Sequence, residues 1–209
     1  MKNIFILGDS YSTYKGYIPE GNAFYYSDER KEEAIVHGVD KTWWRQMAKD
    51  MDYNVAMNDS YSGSTVCNTV RPEFTIESSF VSRMDKYIKM DYFAKNNIET
   101  VFIFGGTNDS WIDAPIGKLM YSKWKKEDLK SVLPAFCYLI DRIQTTNKDM
   151  KIVVILNTDI KPEITDNFAV ACEKYGVRYV RLKDIDKASG HPTVLGMTQI
   201  ASQVVESLK

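Results

Sequence analysis

Five short apolar runs, separated by stretches with helical periodicity, constrain this chain more than any other feature. Residues 151–156, Lys-Ile-Val-Val-Ile-Leu, are aliphatic almost without interruption. A strand with one wet face would alternate polar and apolar residues, so this one is predicted to be buried on both faces, as in a parallel sheet. Residues 2–7, 53–58, 99–104 and 177–181 supply four more strands. Between them, apolar side chains recur at helical spacing, with Phe80, Val81, Met84, Tyr87 and Ile88 within 78–94 and Leu129, Val132, Leu133, Phe136, Leu139, Ile140 and Ile143 within 127–145. Residues 41–51, 162–175 and 193–208 read as further helices. Strands alternating with helices predict an α/β fold, a parallel sheet in a three-layer sandwich. At 209 residues the chain fits one compact domain, residues 1–209.

Charge narrows the classes of partner. Lysine plus arginine number 27 against 28 aspartates and glutamates, so no global field recruits nucleic acid or an anionic membrane. The expected ligand is small or weakly charged. No apolar run approaches the roughly 18–20 residues of a membrane span. Cys67, Cys137 and Cys172 are odd in number and far apart, without the pairing of a zinc or redox motif, and read as ordinary thiols. Met1 leads almost directly into the first strand, which gives a cytoplasmic location at face value, or a secreted or periplasmic one if a signal peptide was trimmed away.

Chemistry in open α/β sheets gathers where strands end. The first strand stops at Gly8-Asp9-Ser10, which exposes a serine hydroxyl; taken singly, that serine is as well read as a helix cap or a phosphate-cradling turn. Asn58-Asp59-Ser60-Tyr61-Ser62-Gly63-Ser64 follows the second strand, Gly105-Gly106-Thr107-Asn108-Asp109 the third, and Gly190-His191-Pro192 the fifth. The amides of Ser10 and Gly63 and the side chain of Asn108 can form an oxyanion hole, although Gly63 and Asn108 are individually also common turn and cap residues. A serine nucleophile needs a base near pH 7, and the chain has two histidines. His191 stands at the strand end, whereas His37 lies among Glu32, Glu33 and Asp40 in a long connection and reads as a surface residue.

Two connections, residues 11–40 and 109–126, are too long for plain turns and rich in aromatic and other large apolar residues: Tyr11, Tyr14, Tyr17, Phe24, Tyr25 and Tyr26 in the first, Trp111, Ile112, Met120, Tyr121 and Trp124 in the second. They read equally as pocket walls, with Tyr11 and Trp111 touching substrate, or as caps on the core.

Taken in order, Gly8-Asp9-Ser10, Gly63, Gly106-Thr107-Asn108-Asp109 and His191-Pro192 give a chain that resembles the SGNH, or GDSL-type, hydrolases over nearly its whole length. The resemblance implies a flavodoxin-like sheet of order 2-1-3-4-5 and a serine esterase mechanism needing no cofactor or metal. By it, Ser10 is the nucleophile, His191 the general base and Gly63 and Asn108 oxyanion donors, while Asp9 supports the turn. The family's aspartate three residues before its histidine is replaced by Ala188. Asp186 is the favoured substitute, with Asp184 or a backbone carbonyl near Ser189 as alternatives. A short O-acyl ester, O-acetyl above all, on a carbohydrate or other small molecule is the expected substrate. A noncatalytic carbohydrate-binding protein on the same scaffold is the rival reading, and a phosphate or flavin binder ranks behind it.

Overall fold

Consecutive residues of the first strand are divided between two cores. Ile4 and Ile6 face one and Phe5 and Leu7 the other, all fully buried, because successive side chains of an extended backbone project to opposite sides. The computed structural model describes residues 1–29 and 36–209, so Glu32 and Glu33 lie outside the described residues. Its centre is a parallel sheet of five strands, β1 (Lys2–Gly8), β2 (Tyr53–Ser60), β3 (Ile98–Phe104), β4 (Lys151–Leu156) and β5 (Arg178–Arg181), in the order β2-β1-β3-β4-β5. Helices α1 (Trp43–Asp50) and α7 (Val194–Leu208) cover the Ile4 face. Helices α2 (Phe80–Lys89), α5 (Val132–Thr146) and α6 (Pro162–Tyr175) cover the other, where the rings of Phe136 and Phe168 stack with centroids 3.7 Å apart. Among the described residues no helix is long and apolar enough to cross a membrane.

Departures from the predicted elements have local causes. The helix expected over 78–94 breaks after α2, because Asp91 adopts a left-handed φ of 54° before the short α3 (Tyr92–Lys95). The one expected over 127–145, α5, starts at Val132, since Ser131 just before it is extended. The second strand continues through Asp59 and Ser60, which pair with Leu7 and Gly8 of β1. Most of the loop aromatics belong to the cores: Tyr11, Tyr14 and Tyr26 are buried beside α1 and α7, and Tyr121 and Trp124, with the aliphatic Ile112, pack against the opposite cluster.

Two small elements place the chemistry. A five-residue helix, α4 (Thr107–Trp111), starts directly after β3 because Gly106 turns the chain at φ 96°. A hairpin of β6 (Lys187–Ala188) and β7 (His191–Pro192) precedes α7. Its two-residue loop, Ser189-Gly190, has positive φ at both positions (48° and 77°), as the hairpin turn that matches strand twist requires. The hairpin rests against α7 through Gly196, where an added Cβ would lie 2.1 Å from Asp186 O.

Candidate active site

Ser10 sits on a single tight turn at the carboxyl end of β1. Asp9 caps that turn by accepting from Tyr11 N at 3.1 Å, and Ser10 O accepts from Thr13 Oγ1 at 2.9 Å. Strand β2 and helix α1 hold the turn in place, with Asn58 Nδ2 donating to Ser12 O at 2.8 Å and Trp43 Nε1 to Ser12 Oγ at 3.1 Å. Capping therefore falls to Asp9, and the Ser10 hydroxyl is directed elsewhere. Its Oγ lies 3.0 Å from His191 Nε2.

The imidazole is held on several sides. Ser189 O is 3.2 Å from Nδ1, so a proton on Nδ1 has an acceptor and Nε2 is left to accept from the serine. Tyr25 stacks on the ring with centroids 3.5 Å apart and planes within 4°, and the Trp111 ring meets it edge-on at 5.6 Å. Two buried tyrosines grip the backbone on either side of His191: Tyr11 OH donates to Gly190 O, and Tyr26 OH to Pro192 O at 2.8 Å. Burial pushes both phenol pKa values up, so they stay protonated donors. From below, Lys187 Nζ reaches Thr158 O at 2.9 Å and Asn157 Oδ1 at 3.3 Å, fixing the hairpin to the loop after β4.

Gly63 and Asn108 meet Ser10 and His191 around one cleft of about 250 Å³, walled also by Tyr25, Arg71, Phe74 and Trp111. Gly63 is at φ 86°, and a Cβ there would lie 2.3 Å from the Phe74 ring, so the position accepts only glycine. Asn108 Nδ2 donates to Ser64 O at 3.0 Å, which leaves its second N–H for a ligand. The loop that carries Gly63 is gripped from two directions. Asp109, fully buried, accepts from Val66 N at 2.8 Å and Cys67 N at 3.1 Å. Arg83, which is 5 % exposed, projects from α2 to donate to Gly8 O (3.0 Å), Asp59 Oδ2 (3.0 Å), Ser64 Oγ (3.1 Å), Ser78 O (2.9 Å) and Asp59 O. One guanidinium thus joins the ends of β1 and β2 to the loop beyond them.

Burial pushes the carboxyl pKa of Asp9 up to about 7, against the Tyr11 amide, which lowers it. In the unfolded chain the same carboxyl loses its proton near pH 4. Between these values the folded state holds a proton that the unfolded state has released, so this group's contribution to stability declines as pH rises from about 4 to 7. Asp9→Asn removes that penalty. Its melting temperature is expected to gain on the unmodified protein by several degrees between pH 5 and pH 8, measured by thermal denaturation across that range; a constant difference would contradict it. The three cysteines are buried, and burial raises the thiol pKa values, to about 11 for Cys137, so none is a ready nucleophile at neutral pH.

The structure brings together Ser10, His191, Gly63, Asn108 and Trp111. Two expected site residues fall elsewhere. Tyr11 was expected to touch substrate, but it is 1 % exposed, because the turn at Ser10 points its ring into the core; it serves the site by holding Gly190 O. Asp186 was expected to orient the imidazole, but its carboxylate accepts from Thr193 Oγ1 and its N–H donates to Gln199. Its place beside Nδ1 is taken by Ser189 O, the backbone alternative, since in the hairpin it is Ala188 that pairs with His191. Asp184 is exposed beside β5 and α7. His37 does not line the cleft; the N–H of neighbouring Gly38 meets Tyr14 and Asp28. Arg83 has no place in the sequence reading, while Asp109, Tyr25 and Tyr26 figure there only within a motif or an aromatic loop, without the contacts they make here. For Arg83 the signal was there: a cation among Phe80, Val81, Met84 and Tyr87 on a buried helix stripe.

The family model described as GDSL-like lipase/acylhydrolase matches residues 2–208. A candidate GDSL-like lipase from Bacteroides ovatus is 37% identical with a TM-score of 0.91, covering 100% of this chain and 98% of that one. A second, from Bacteroides uniformis, is 39% identical with a TM-score of 0.88, covering 99% and 95%. A carbohydrate acetylesterase from Sinorhizobium meliloti shares the fold at 14% identity and a TM-score of 0.67, covering 100% and 98%. No curated protein matches the chain.

Proposed function

Because the chain belongs to the GDSL-like lipase/acylhydrolase family, we propose that it is a serine esterase that removes short O-acyl groups, O-acetyl above all, from a carbohydrate or other small alcohol. Residues 1–209 act as one catalytic domain in this reading. The observation that carries it is the 3.0 Å approach of Ser10 Oγ to His191 Nε2 at the mouth of a cleft lined by Gly63 and Asn108.

In the first step His191 Nε2 takes the hydroxyl proton as Ser10 Oγ attacks the ester carbonyl carbon. The negative oxygen is met by the N–H groups of Ser10 and Gly63 and by Asn108 Nδ2. When the tetrahedral intermediate collapses, the C–O bond to the alcohol breaks and the alcohol departs with the proton from His191. Water then gives a proton to the same imidazole and attacks the acyl-serine; collapse releases the acid and returns the proton to Ser10. The positive charge that His191 carries between these events faces the stacked Tyr25 ring, a favourable partner for a cation, and its Nδ1–H faces Ser189 O.

Cleft size and lining support the substrate class. About 250 Å³ lies below the range usual for drug-sized ligands, so a two-carbon acyl group fits better than a fatty chain. Trp111, 42% exposed at the rim, offers a face to a sugar ring. The likeness to the Sinorhizobium meliloti carbohydrate acetylesterase points the same way. The protein is expected to hydrolyse aryl acetate and acetylated sugars, with kcat/KM falling at least about tenfold from acetyl to octanoyl esters. A profile rising with chain length would contradict the acyl assignment. Sugar binding without turnover would instead favour the noncatalytic reading, in which Asp186 and Thr193 pair because no base needs orienting.

A further inference from the structure

Arg71 lines the cleft beside Ser10, Gly63 and Asn108, yet the acyl transfer outlined above gives it no part. Its Nη2 donates to Asn108 Oδ1 at 3.3 Å. Its Nη1 lies 3.9 Å from a carboxylate oxygen of Glu73, a residue that is 58% exposed, and pairs of that kind contribute little. Its Nε is buried without a hydrogen-bond partner among the described residues. A guanidinium placed for the fold's sake would satisfy its donors, as Arg83 does. Arg71 instead leaves a donor unsatisfied while directing another at the side chain of Asn108.

That amide has two orientations related by a flip, which exchanges an acceptor for a donor pair. In the observed one, Oδ1 faces Arg71 and Nδ2 faces Ser64 O at 3.0 Å, so the remaining N–H is directed away from both partners. In the flipped one, the N–H groups would face a cation and Oδ1 would face a carbonyl oxygen, and both contacts would repel. The guanidinium also polarises the amide it bonds, which strengthens the N–H as a donor.

We propose that Arg71 is a positioning residue for the oxyanion hole, fixing the Asn108 carboxamide with an N–H toward the reacting carbonyl. The proposal deepens the esterase reading and, for its kinetic part, rests on it. Because the group acts through Asn108, its effect belongs in the chemical step and requires the asparagine to be present.

A double-mutant cycle on a neutral aryl acetate tests this, with Arg71→Met, Arg71→Lys, Asn108→Ala and the Arg71→Met/Asn108→Ala pair. Arg71→Met is expected to lower kcat about tenfold or more with KM within about twofold, and Arg71→Lys to recover part of the loss. In the Asn108→Ala background the arginine change is expected to alter kcat less than about twofold. Equal losses in both backgrounds, or a change confined to KM, would overturn the proposal and make Arg71 a direct substrate contact. A second readout is independent of turnover: the side-chain 15N–1H signals of Asn108, assigned by their loss in Asn108→Ala, are expected to shift and broaden in both Arg71 variants. Unchanged signals would overturn the proposal. Should the unmodified protein hydrolyse no ester, the esterase reading fails, and these signals still decide whether Arg71 fixes the amide.

Discussion

Ser10→Ala is expected to lower kcat on aryl acetate by about 10⁴-fold or more while leaving the melting temperature little changed. The change removes one oxygen. The turn around it is held by backbone and by other side chains, with Asp9 on Tyr11 N, Asn58 on Ser12 O and Trp43 on Ser12 Oγ, so the alanine variant keeps the scaffold and loses the atom that attacks. His191→Ala is expected to cost a similar factor, and the double variant no more than the worse single one, because the two groups perform one proton transfer. Comparing all three with the unmodified protein in a steady-state assay checks both size and non-additivity. Losses that multiply would mean that serine and histidine act separately.

Arg83→Met is expected to produce the largest loss of stability, about 3–5 kcal/mol, or a fall of roughly 10 °C in melting temperature for a chain of this size. Methionine stands in for the apolar stem but loses the guanidinium that sits over the Phe80 ring at 4.8 Å, and it strands Asp59, whose side chain is 4% exposed beside an Arg83 nitrogen at 3.0 Å. Ser64 Oγ loses the donation from Arg83, and Gly8 O is left with Tyr61 N. Most of the damage therefore comes from a buried carboxylate left unpaired. Arg83→Met/Asp59→Asn should accordingly be more stable than Arg83→Met. A single variant within about 1 kcal/mol of the unmodified protein, measured by denaturant unfolding, would contradict the clamp.

These two effects differ in how visible they are before the fold is known. Ser10, His191, Gly63 and Asn108 were legible because each follows a strand, and parallel strands deliver their ends to one rim whatever the helices do. The strands themselves were legible from runs such as residues 151–156, which can only be buried on both faces. Arg83 is conspicuous as a cation on a buried helix stripe, but what it holds was hidden, because its partners are mostly carbonyl oxygens, which every residue carries. The fate of the aromatic loops was hidden for a related reason: a tyrosine reads alike whether its ring walls a cleft, as Tyr25 does, or points inward to hold a carbonyl, as Tyr11 and Tyr26 do. Asp186 stands only five residues before His191 along the chain. Between it and His191 the chain folds back as a hairpin, with Ser189-Gly190 as its turn, and the carbonyl of Ser189 comes to Nδ1 instead.

Phosphonylation tests most directly the central claim, that Ser10 is a nucleophile activated by His191. The protein incubated with a fluorophosphonate is expected to gain the mass of one phosphonyl group, located by peptide mass spectrometry on Ser10, with labelling slowed at least about 100-fold in His191→Ala. An unmodified protein, or an adduct on any residue other than Ser10, would contradict it.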